Sequence, residues 1–360
     1  ELLRYDLDEN RVILVFDEVL ESAFAEDTGR FEVIGGEAVV TEAAFLNQGR
    51  EAVILALNRV PHSPLTLRVY DPEDCTGNTG PDVTVVFEKL SGPLPGDIRL
   101  SEILFNPLPG GEDFVEVCNT SDRRFDLKNW QLARLNAAGE ISGHATLSAM
   151  QTVLPENGFL AFTTNSAFLR DHYPLAGNLL EVPVLPAYNQ DAGTVLLLKP
   201  DSTEFDRFTY NEKMHASLIR NPRGVSLERV SFLRNEWASA ASDAGFATPG
   251  SANSRAENDS TESFFTAEPL VFLPGPEVTR LTYRLPGGEL YAAITVLDKH
   301  GRTVRILARN HLLGTSGKIA WDGTDDHGRL LPPGYYVFVA DVFGTGLNRR
   351  FYAKTVIGIP

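Results

Sequence analysis

Three carboxylates lie close together in the short segment DGTDDHG at residues 322–328. Asp322, Asp325 and Asp326 stand between glycines, and clustered carboxylate oxygens suit a hard cation such as Ca²⁺. The segment lacks the twelve-residue spacing and the terminal Glu of an EF-hand loop. Two interpretations stay open: a calcium site formed by these three residues, or a structural turn in which Asp322 caps backbone amides. Calcium is the one cofactor that the sequence suggests.

Glu102 and Glu116 have the residue type needed for general acid–base catalysis. Each falls inside a short apolar run that predicts a strand. We therefore expect structural acids, either half-buried or at exposed strand positions, rather than a catalytic pair. Arg229, next to Glu228, is a candidate ion-pair partner for one of them.

The chain has two cysteines, Cys75 and Cys118. A disulfide between them would stabilise the fold by up to about 4 kcal/mol in the chain-entropy model. It would require Cα atoms within roughly 7 Å, and the alternative is two unpaired thiols. The acidic loop Asp71–Asp74 precedes Cys75 and also has two interpretations, a cation site or a turn fixed by side-chain oxygens.

Catalytic signatures are missing from the sequence. It has no Gly-x-Ser-x-Gly elbow, no His-Glu-x-x-His pair and no phosphate-binding glycine loop. The seven histidines are scattered, at positions 62, 144, 172, 215, 300, 311 and 327, which gives no local support for a zinc site. We therefore expect a protein that is not an enzyme.

The elements that must position these residues are short strands. Runs such as RVILVF (11–16) and AVILAL (52–57) are rich in β-branched residues and are separated by Gly, Pro, Asn and Asp. The segment YYVFVADV (335–342) is apolar on both faces, as expected of a central strand. Helical signals are confined to Ser166–His172, with Ser166 as N-cap, and a turn or two within Asn211–Leu218. The pattern predicts an all-β protein of sandwich type.

Two linker-like stretches divide the chain. Ser91–Gly96 is dense in Pro and Gly, and Ser254–Glu268 is polar and charged. We predict three β-sandwich domains in series, at residues 1–91, 97–254 and 269–360. Phe264 and Phe265 are unusual for a solvated linker, and we expect them to dock on a neighbouring domain or a partner. Because the sequence starts at Glu1 without Met or a signal peptide, we expect a mature, processed or shortened chain.

Charge excludes one class of partner. The 360 residues have 48 acidic and 32 basic side chains, for a net charge of −16, and a non-specific nucleic-acid binder needs the opposite sign. The net charge is −12 over residues 1–97, −5 over 98–254 and +1 over 255–360. No apolar run reaches the ~20 residues of a membrane span, so no direct membrane insertion is expected.

The first domain resembles the Ig-like module of bacterial surface-layer proteins. The residues that carry this resemblance are VILVFDEVLESAF (12–24) and VYDPEDCTGN (69–78), where Asp71 and Asn78 are expected to fix tight turns.

The second domain resembles a lamin-tail domain, which is a small Ig-like sandwich. The motif is DIRLSEILFNPLPGGEDFVEVCNTSDRRFDLKNWQL (97–132), and a tail over 214–254 resembles a variant common in secreted proteins of the Bacteroidetes. The motif residues are Ser101, Glu102, Phe114, Glu116, Asn119 and Trp130. The resemblance implies that both glutamates belong to a non-catalytic fold.

The third domain is similar to the Ig-like domain of flagellar hook-capping proteins, which recurs in secreted and gliding-associated proteins of the same phylum. ITVLDKHGRTVRIL (294–307) and WDGTDDHGRLLPPGYYVFV (321–339) carry the similarity. Trp321, Asp322 and Gly323 open the second motif. We expect Trp130, Trp237 and Trp321 to be core anchors, because all three fall at motif positions.

Together the three resemblances imply a secreted, non-catalytic protein of the cell surface, exported by a Bacteroidetes route such as type IX secretion. Two functions stay open. The modules are structural or adhesive, with self-association or other surface proteins as partners, or they form an accessory region of a larger exported enzyme that binds a surface or a polysaccharide. Shared fold alone does not decide between them.

Overall fold

A computed structural model describes residues 2–8, 10–36, 38–46, 48–61, 64–87, 90, 92–257, 264–344 and 350–360. His62, Ser91 of the first linker and residues 258–263 of the second lie outside the described residues. The chain divides into two compact units. The first comprises Glu1–Leu94, Arg123–Trp130 and Thr146–Pro155, and the second comprises Pro95–Asp122, Gln131–Ala145 and Glu156–Pro360. The predicted domain limits stay predictions.

The strands follow in chain order. The first group is β1 (Leu2–Asp8), β2 (Arg11–Phe16), β3 (Phe31–Ile34), β4 (Val40–Phe45), β5 (Ala52–Leu57), β6 (Leu65–Val69) and β7 (Val83–Phe87). The second group is β8 (Ile98–Leu104), β9 (Phe114–Asn119), β10 (Phe125–Asp126), β11 (Gln131–Leu135), β12 (Ile141–Thr146), β13 (Val153–Leu154), β14 (Phe159–Thr163), β15 (Leu179–Glu181), β16 (Ala192–Leu198), β17 (Glu204–Asn211), β18 (Leu227–Ser231) and β19 (Glu236–Ser239). The third group is β20 (Phe264–Glu268), β21 (Thr279–Arg284), β22 (Leu290–Leu297), β23 (Thr303–Leu312), β24 (Ser316–Trp321), β25 (Gly334–Gly344) and β26 (Arg350–Ile359).

Helical structure in the described residues is short. The α-helix α1 spans Ser166–His172, and 3₁₀ turns span Phe24–Glu26, Thr28–Arg30, Glu212–Met214 and Ser242–Ala244. The N-cap of α1 is Asn165 rather than the predicted Ser166, because Asn165 Oδ1 accepts a hydrogen bond from the Phe168 amide at 3.0 Å.

The first unit contains a sandwich of two antiparallel sheets, ordered β1-β2-β5-β4 and β3-β6-β7. Alternate residues of β2, β5 and β6 point inward, so Val12, Leu14, Leu55 and Leu67 are wholly buried in one apolar core. The small β10-β13 pair belongs to the same unit. The Lys128 ammonium lies 2.7 Å from the buried Asp6 carboxylate, which holds the β10 region against β1.

The second unit begins with a sandwich formed by sheets β12-β11-β16-β17 and β15-β14-β9-β8-β18-β19. Strands β14 and β15 pair in parallel, whereas the pairs from β14 through β9 and β8 to β18 and β19 are antiparallel. All six residues of β9 are buried, so both faces of the larger sheet are covered. This coverage is what positions the polar residues considered below.

The same unit contains a third sandwich, formed by sheets β20-β21-β24 and β23-β22-β25-β26. Trp321 is 1% exposed and makes edge contacts with the rings of Phe272, Tyr336 and Phe338. Phe265 packs against this core and stacks on Tyr283. The prediction that β25 is a central strand agrees with its place between β22 and β26.

The prediction of an all-β fold is confirmed: three β-sandwiches follow one another along the chain. In the described residues, no helix has the length and apolar character needed to cross a membrane.

Candidate functional site

Three glutamates form a row across the larger sheet of the middle sandwich. Glu116 on β9 is the Cα partner of Glu102 on β8, and Glu102 is in turn the partner of Glu228 on β18. Opposed residues on adjacent strands project to the same face. All three side chains are 0% exposed, so three acids stand side by side inside the protein. We call them the glutamate row.

The face that bears this row is closed by apolar packing. Leu104 and Phe114, which share the face with Glu102 and Glu116, pack against Leu169 of α1 in one buried cluster. Tyr173, just after α1, and the buried Ala161 and Ala247 belong to the same cluster. The Asn165 cap stabilises the start of α1, and α1 in turn shields this face of the sheet from water.

A segment without regular structure, Thr248–Arg255, covers the remainder of this face, and we call it the clamp segment. Glu228 holds its C-terminal end. The amides of Ser254 and Arg255 donate to the Glu228 carboxylate at 3.0 and 3.1 Å, and the Ser254 hydroxyl donates at 2.9 Å. Buried backbone N–H groups need hydrogen-bond acceptors. In this segment the Glu228 carboxylate supplies the acceptors that a neighbouring strand would otherwise provide.

The other two glutamates hold the N-terminal half of the clamp segment. The Thr248 amide donates to Glu102 Oε1 at 2.9 Å, and the Gly250 amide donates to Glu116 Oε2 at 2.7 Å. The Ser226 hydroxyl donates to Glu102 as well. Each member of the row thus accepts from at least one backbone amide of the clamp segment.

Burial sets the protonation state of the row. Desolvation, followed by the charge of Glu228, raises the pKa of Glu102 to about 8. Desolvation and the charge of Glu102 raise the pKa of Glu116 well above its usual value, and burial raises that of Glu228. The Thr248 hydroxyl lies 2.8 Å from Glu228 Oε1 and 3.1 Å from Glu102 Oε2. Because it has one proton to donate, the second contact is satisfied when protonated Glu102 donates to it.

This geometry does not suit the chemistry that paired carboxylates usually perform. General acid–base catalysis needs a carboxyl group within hydrogen-bond reach of a substrate, and none of the three is accessible. Among the described residues, no group of three His, Cys, Asp or Glu side chains is arranged to hold a metal ion. The arrangement is suited to fixing the clamp segment on the sheet.

The row makes stability depend on pH. Folded Glu102 retains a proton up to about pH 8, whereas the unfolded chain loses it near pH 4.5, so the contribution of this group falls as pH rises through that window. We expect the unfolding free energy to fall between pH 6.5 and 8, by at most about 1.4 kcal/mol per unit for one proton. Glu102→Gln should flatten the slope, as measured by urea unfolding at each pH.

A control variant separates the contribution of Glu102 from the titration of other carboxyl groups. Glu156→Gln changes an exposed glutamate and should leave the slope as in the parent protein. Burial also raises the pKa of Asp113 to about 7, so part of the slope remains in both variants. Burial lowers the pKa of His215 to about 4, so this histidine makes the unfolding free energy rise with pH. That rise lies below pH 6.5, outside the range measured. An unchanged slope in Glu102→Gln would contradict the shared-proton geometry.

A second polar cluster joins the two sheets of the middle sandwich. Arg229 on β18 is 2% exposed, and its Nη1 donates to Asp206 Oδ2 on β17 at 2.7 Å and to the Leu100 carbonyl at 3.0 Å. Asp206 also accepts from the Leu100 amide at 2.9 Å. Arg229 was predicted to pair with Glu102 or Glu116, and this was wrong, because its side chain points to the opposite face of the sheet.

Aromatic rings enclose the buried guanidinium. Arg229 Cζ lies 5.5 Å from the Phe232 ring centroid and 5.4 Å from that of Trp237. Trp237 stacks on Phe208 at 3.6 Å. Trp237 is half-buried and packs as an anchor of the sandwich, as Trp130 does at 3% exposure in the first unit.

The carboxylates proposed as a calcium site point to separate partners. Asp322 accepts from the Thr324 amide at 3.1 Å, Asp325 from the His327 amide at 2.9 Å, and Asp326 from the Ile306 amide at 2.9 Å. Burial acts to raise the pKa of Asp322, but the hydroxyl and amide of Thr324 together hold it below its usual range. The Arg329 amide, with the His327 amide, holds the pKa of Asp325 below its usual range against the effect of burial. These bonds, with Gly323 at φ 79°, agree with the turn interpretation, and the calcium site stays a prediction.

The acidic loop near Cys75 is also a turn. Asp74 Oδ1 accepts from the amides of Thr76 and Asn78 at 2.8 and 2.9 Å. Hydrogen bonds from the side chains of Asn78 and Thr76, followed by the Asn78 amide, hold the pKa of Asp74 well below its usual range. Asp71, predicted to fix the same turn, has a φ of 43°.

The predicted disulfide is not formed. Cys75 is an exposed free thiol, and Cys118 is a free thiol on β9 with 2% exposure. Burial raises the pKa of the Cys118 thiol far above its usual value, so it behaves as an apolar core residue.

The remaining motif residues have structural contacts. Phe114 is wholly buried. Asn119 Oδ1 accepts from the Ser121 amide at 3.0 Å and fixes the turn after β9. The Ser101 hydroxyl donates to Asn253 Oδ1 at 3.2 Å, and Asn253 Nδ2 returns a bond to the Ser101 carbonyl at 3.1 Å. Ser101 therefore also helps to secure the clamp segment.

Sequence reasoning missed Glu228, Asp206 and the clamp segment as parts of one site. The tail that contains Glu228 and the clamp segment had been singled out by resemblance, but it had no assigned role. No local pattern marks Asp206, because its partners lie 23 residues away on another sheet and 106 residues away on β8.

A family model described as Lamin Tail Domain matches residues 92–212. This part of the chain therefore carries an Ig-like lamin-tail fold. The match ends before β18, so Glu228 and the clamp segment belong to an extension beyond it. No curated protein matches the chain.

Several solved structures are similar to this chain. FlgD from P. aeruginosa is 22% identical, with 24% of this chain and 67% of that chain covered and a TM-score of 0.20. Latent PorU from Porphyromonas gingivalis is 11% identical, with 99% and 32% covered and a TM-score of 0.22. PorZ, described as a surface component of the type IX secretion system of the same organism, is 12% identical, with 100% and 51% covered and a TM-score of 0.20. The chain spans about a third of the length of PorU and half of that of PorZ.

Proposed function

We propose that this chain is a non-catalytic, exported protein of the cell surface whose Ig-like modules serve structural or adhesive roles. One observation supports it above the others. The three carboxyl groups of the glutamate row are fully buried, and they accept hydrogen bonds from the chain's own clamp segment. These carboxyl groups bind the chain itself and are not accessible to a substrate.

The junction between the middle and C-terminal sandwiches supports a structural role. The Tyr283 hydroxyl donates to Asp243, whose other oxygen accepts from the Gly314 amide at 3.2 Å. The Thr315 amide donates to the Ser254 carbonyl at 2.9 Å. A Cβ atom on Gly317 would overlap the Asp243 carboxylate, so the two sandwiches approach closely. A direct junction of this kind keeps two modules fixed relative to each other.

Self-association or contact with other surface proteins would then use the outside of the sandwiches. The edge strand β19 leaves one side of its backbone outside the sheet order, and such an edge is a site where another strand can add. The large negative charge and the fold give no support to nucleic-acid binding.

The test is protease accessibility on intact native cells. If the protein lies at the surface, brief protease treatment should remove it from immunoblots while a cytoplasmic control protein stays intact. Immunogold imaging of the same cells should place label outside the envelope, and rows or patches would indicate an assembly. Protection from protease until the cells are lysed would overturn the proposal.

A further inference from the structure

A cavity of about 440 Å³ lies in the second unit, where the middle sandwich meets the C-terminal sandwich. One wall is the segment Leu218–Asn221, which follows the 3₁₀ turn after β17. The other wall is Arg309–Leu312 at the end of β23. Cavities of 300–1,000 Å³ are typical of small-molecule sites, so this one has room for a sugar residue.

The charge of this cavity is opposite to that of the chain. Arg220, Arg309 and His311 line it, and its lining contains no acidic residue. This is unusual for a chain with a net charge of −16. A cavity in the first unit shows the more expected character, with a lining that contains four acidic residues and no basic one: Asp17, Glu18, Asp74 and Asp82.

The two arginines are available to a ligand. Both are exposed, and within the described parts of the chain no acidic side chain forms an ion pair with either of them. Asp243 is close enough for His311 to act on its charge, but its two oxygens accept from Tyr283 and from the Gly314 amide.

The other lining residues fit a ligand that is both polar and apolar. Asn221 and Asn310 bring amide groups that can bond hydroxyls, while Ile219 and Phe246 bring apolar surface. A sugar ring combines hydroxyls with an apolar C–H face. Guanidinium groups bind carboxylate and sulfate through paired N–H donors.

We propose that this cavity binds an acidic sugar, with Arg220 and Arg309 contacting its carboxylate or sulfate group. The anion chemistry rests on the cavity alone. The choice of a surface polysaccharide as the source of the sugar rests on the proposed function. Both sandwiches contribute to the site, so it exists only when their junction is formed.

The test is calorimetric titration of the purified chain with galacturonic acid oligomers, with a sulfated galactose oligomer, and with the neutral galactose oligomer as reference. We expect one of the acidic ligands to bind at least ten times more tightly than the neutral one, and to weaken as NaCl rises. The double variant Arg220→Gln/Arg309→Gln should lose at least a factor of ten in affinity. Arg223→Gln, a nearby exposed arginine outside the lining, should bind as the parent does.

The outcomes separate cleanly. Preference for the uronate or for the sulfated oligomer identifies the anion. Binding of inorganic sulfate as tightly as the sugars would overturn the sugar assignment. No binding, or unchanged binding in the double variant with an unchanged melting temperature, would overturn the site. None of these results depends on where the protein resides, so failure here leaves the cell-surface test untouched.

Discussion

Gly250→Ala is expected to destabilise the middle sandwich by about 3–6 kcal/mol. Gly250 has a φ of +77°, which strains any residue with a Cβ. A Cβ atom there would lie 2.6 Å from the Asn178 carbonyl carbon and closer still to the nitrogen and oxygen of that residue. The amide of Gly250 is also the donor to buried Glu116, so any shift of the backbone weakens that bond. Strain, overpacking and a lost buried hydrogen bond add in the same direction.

Gly139→Ala is the matched control. Gly139 has nearly the same backbone angle, φ +79°, but nothing lies within 4 Å of an added Cβ. It should therefore lose only about 1 kcal/mol, the cost of the backbone conformation. Urea unfolding of the two variants measures the difference. Equal losses would mean that the close approach of the clamp segment to Asn178 has no energetic weight.

Arg229→Met is expected to cost about 3–5 kcal/mol. Methionine fills a similar volume between Phe232 and Trp237 but cannot neutralise Asp206, which is 8% exposed. The remaining cation near Asp206 is Arg99, at 3.4 Å. A buried carboxylate that loses its main counter-charge destabilises the fold far more than the original pair stabilised it.

Two further variants test the cause of that loss. Arg207→Met removes the arginine of an exposed pair with Glu204 and should cost less than about 1 kcal/mol. The double variant Arg229→Met/Asp206→Asn should recover part of the stability, because asparagine still accepts from the Leu100 amide without a buried charge. If the double variant is as unstable as the sum of its single changes, the Asp206 charge is not the origin of the loss.

The strands were largely predictable because their signal is local. Alternation of apolar residues and turn residues marks β2, β5 and β25 within a few positions each. Glu102 and Glu116 lie in strands, as expected, but they are wholly buried rather than half-buried or exposed. The Ser166 cap was off by one residue because Asn165 and Ser166 are both good N-caps, and tertiary placement decides between them.

The partners of these acids could not be predicted, because they are set by tertiary structure. The Glu102–Thr248 bond spans 146 residues, and its donor is a backbone amide that has no sequence signature. The same limit explains the aspartates at 322–326. They are neighbours in sequence, but each carboxylate turns to an amide of its own, and sequence spacing does not reveal side-chain direction.

Native-state hydrogen exchange of the clamp segment tests the central claim most directly, namely that the glutamate row fixes an irregular segment on the sheet. The amides of Thr248, Gly250 and Ser254 should exchange as slowly as those of β8 and β9, through unfolding of the whole sandwich. Exchange of these three amides at the rate of an exposed loop, while β8 and β9 stay protected, would contradict the account.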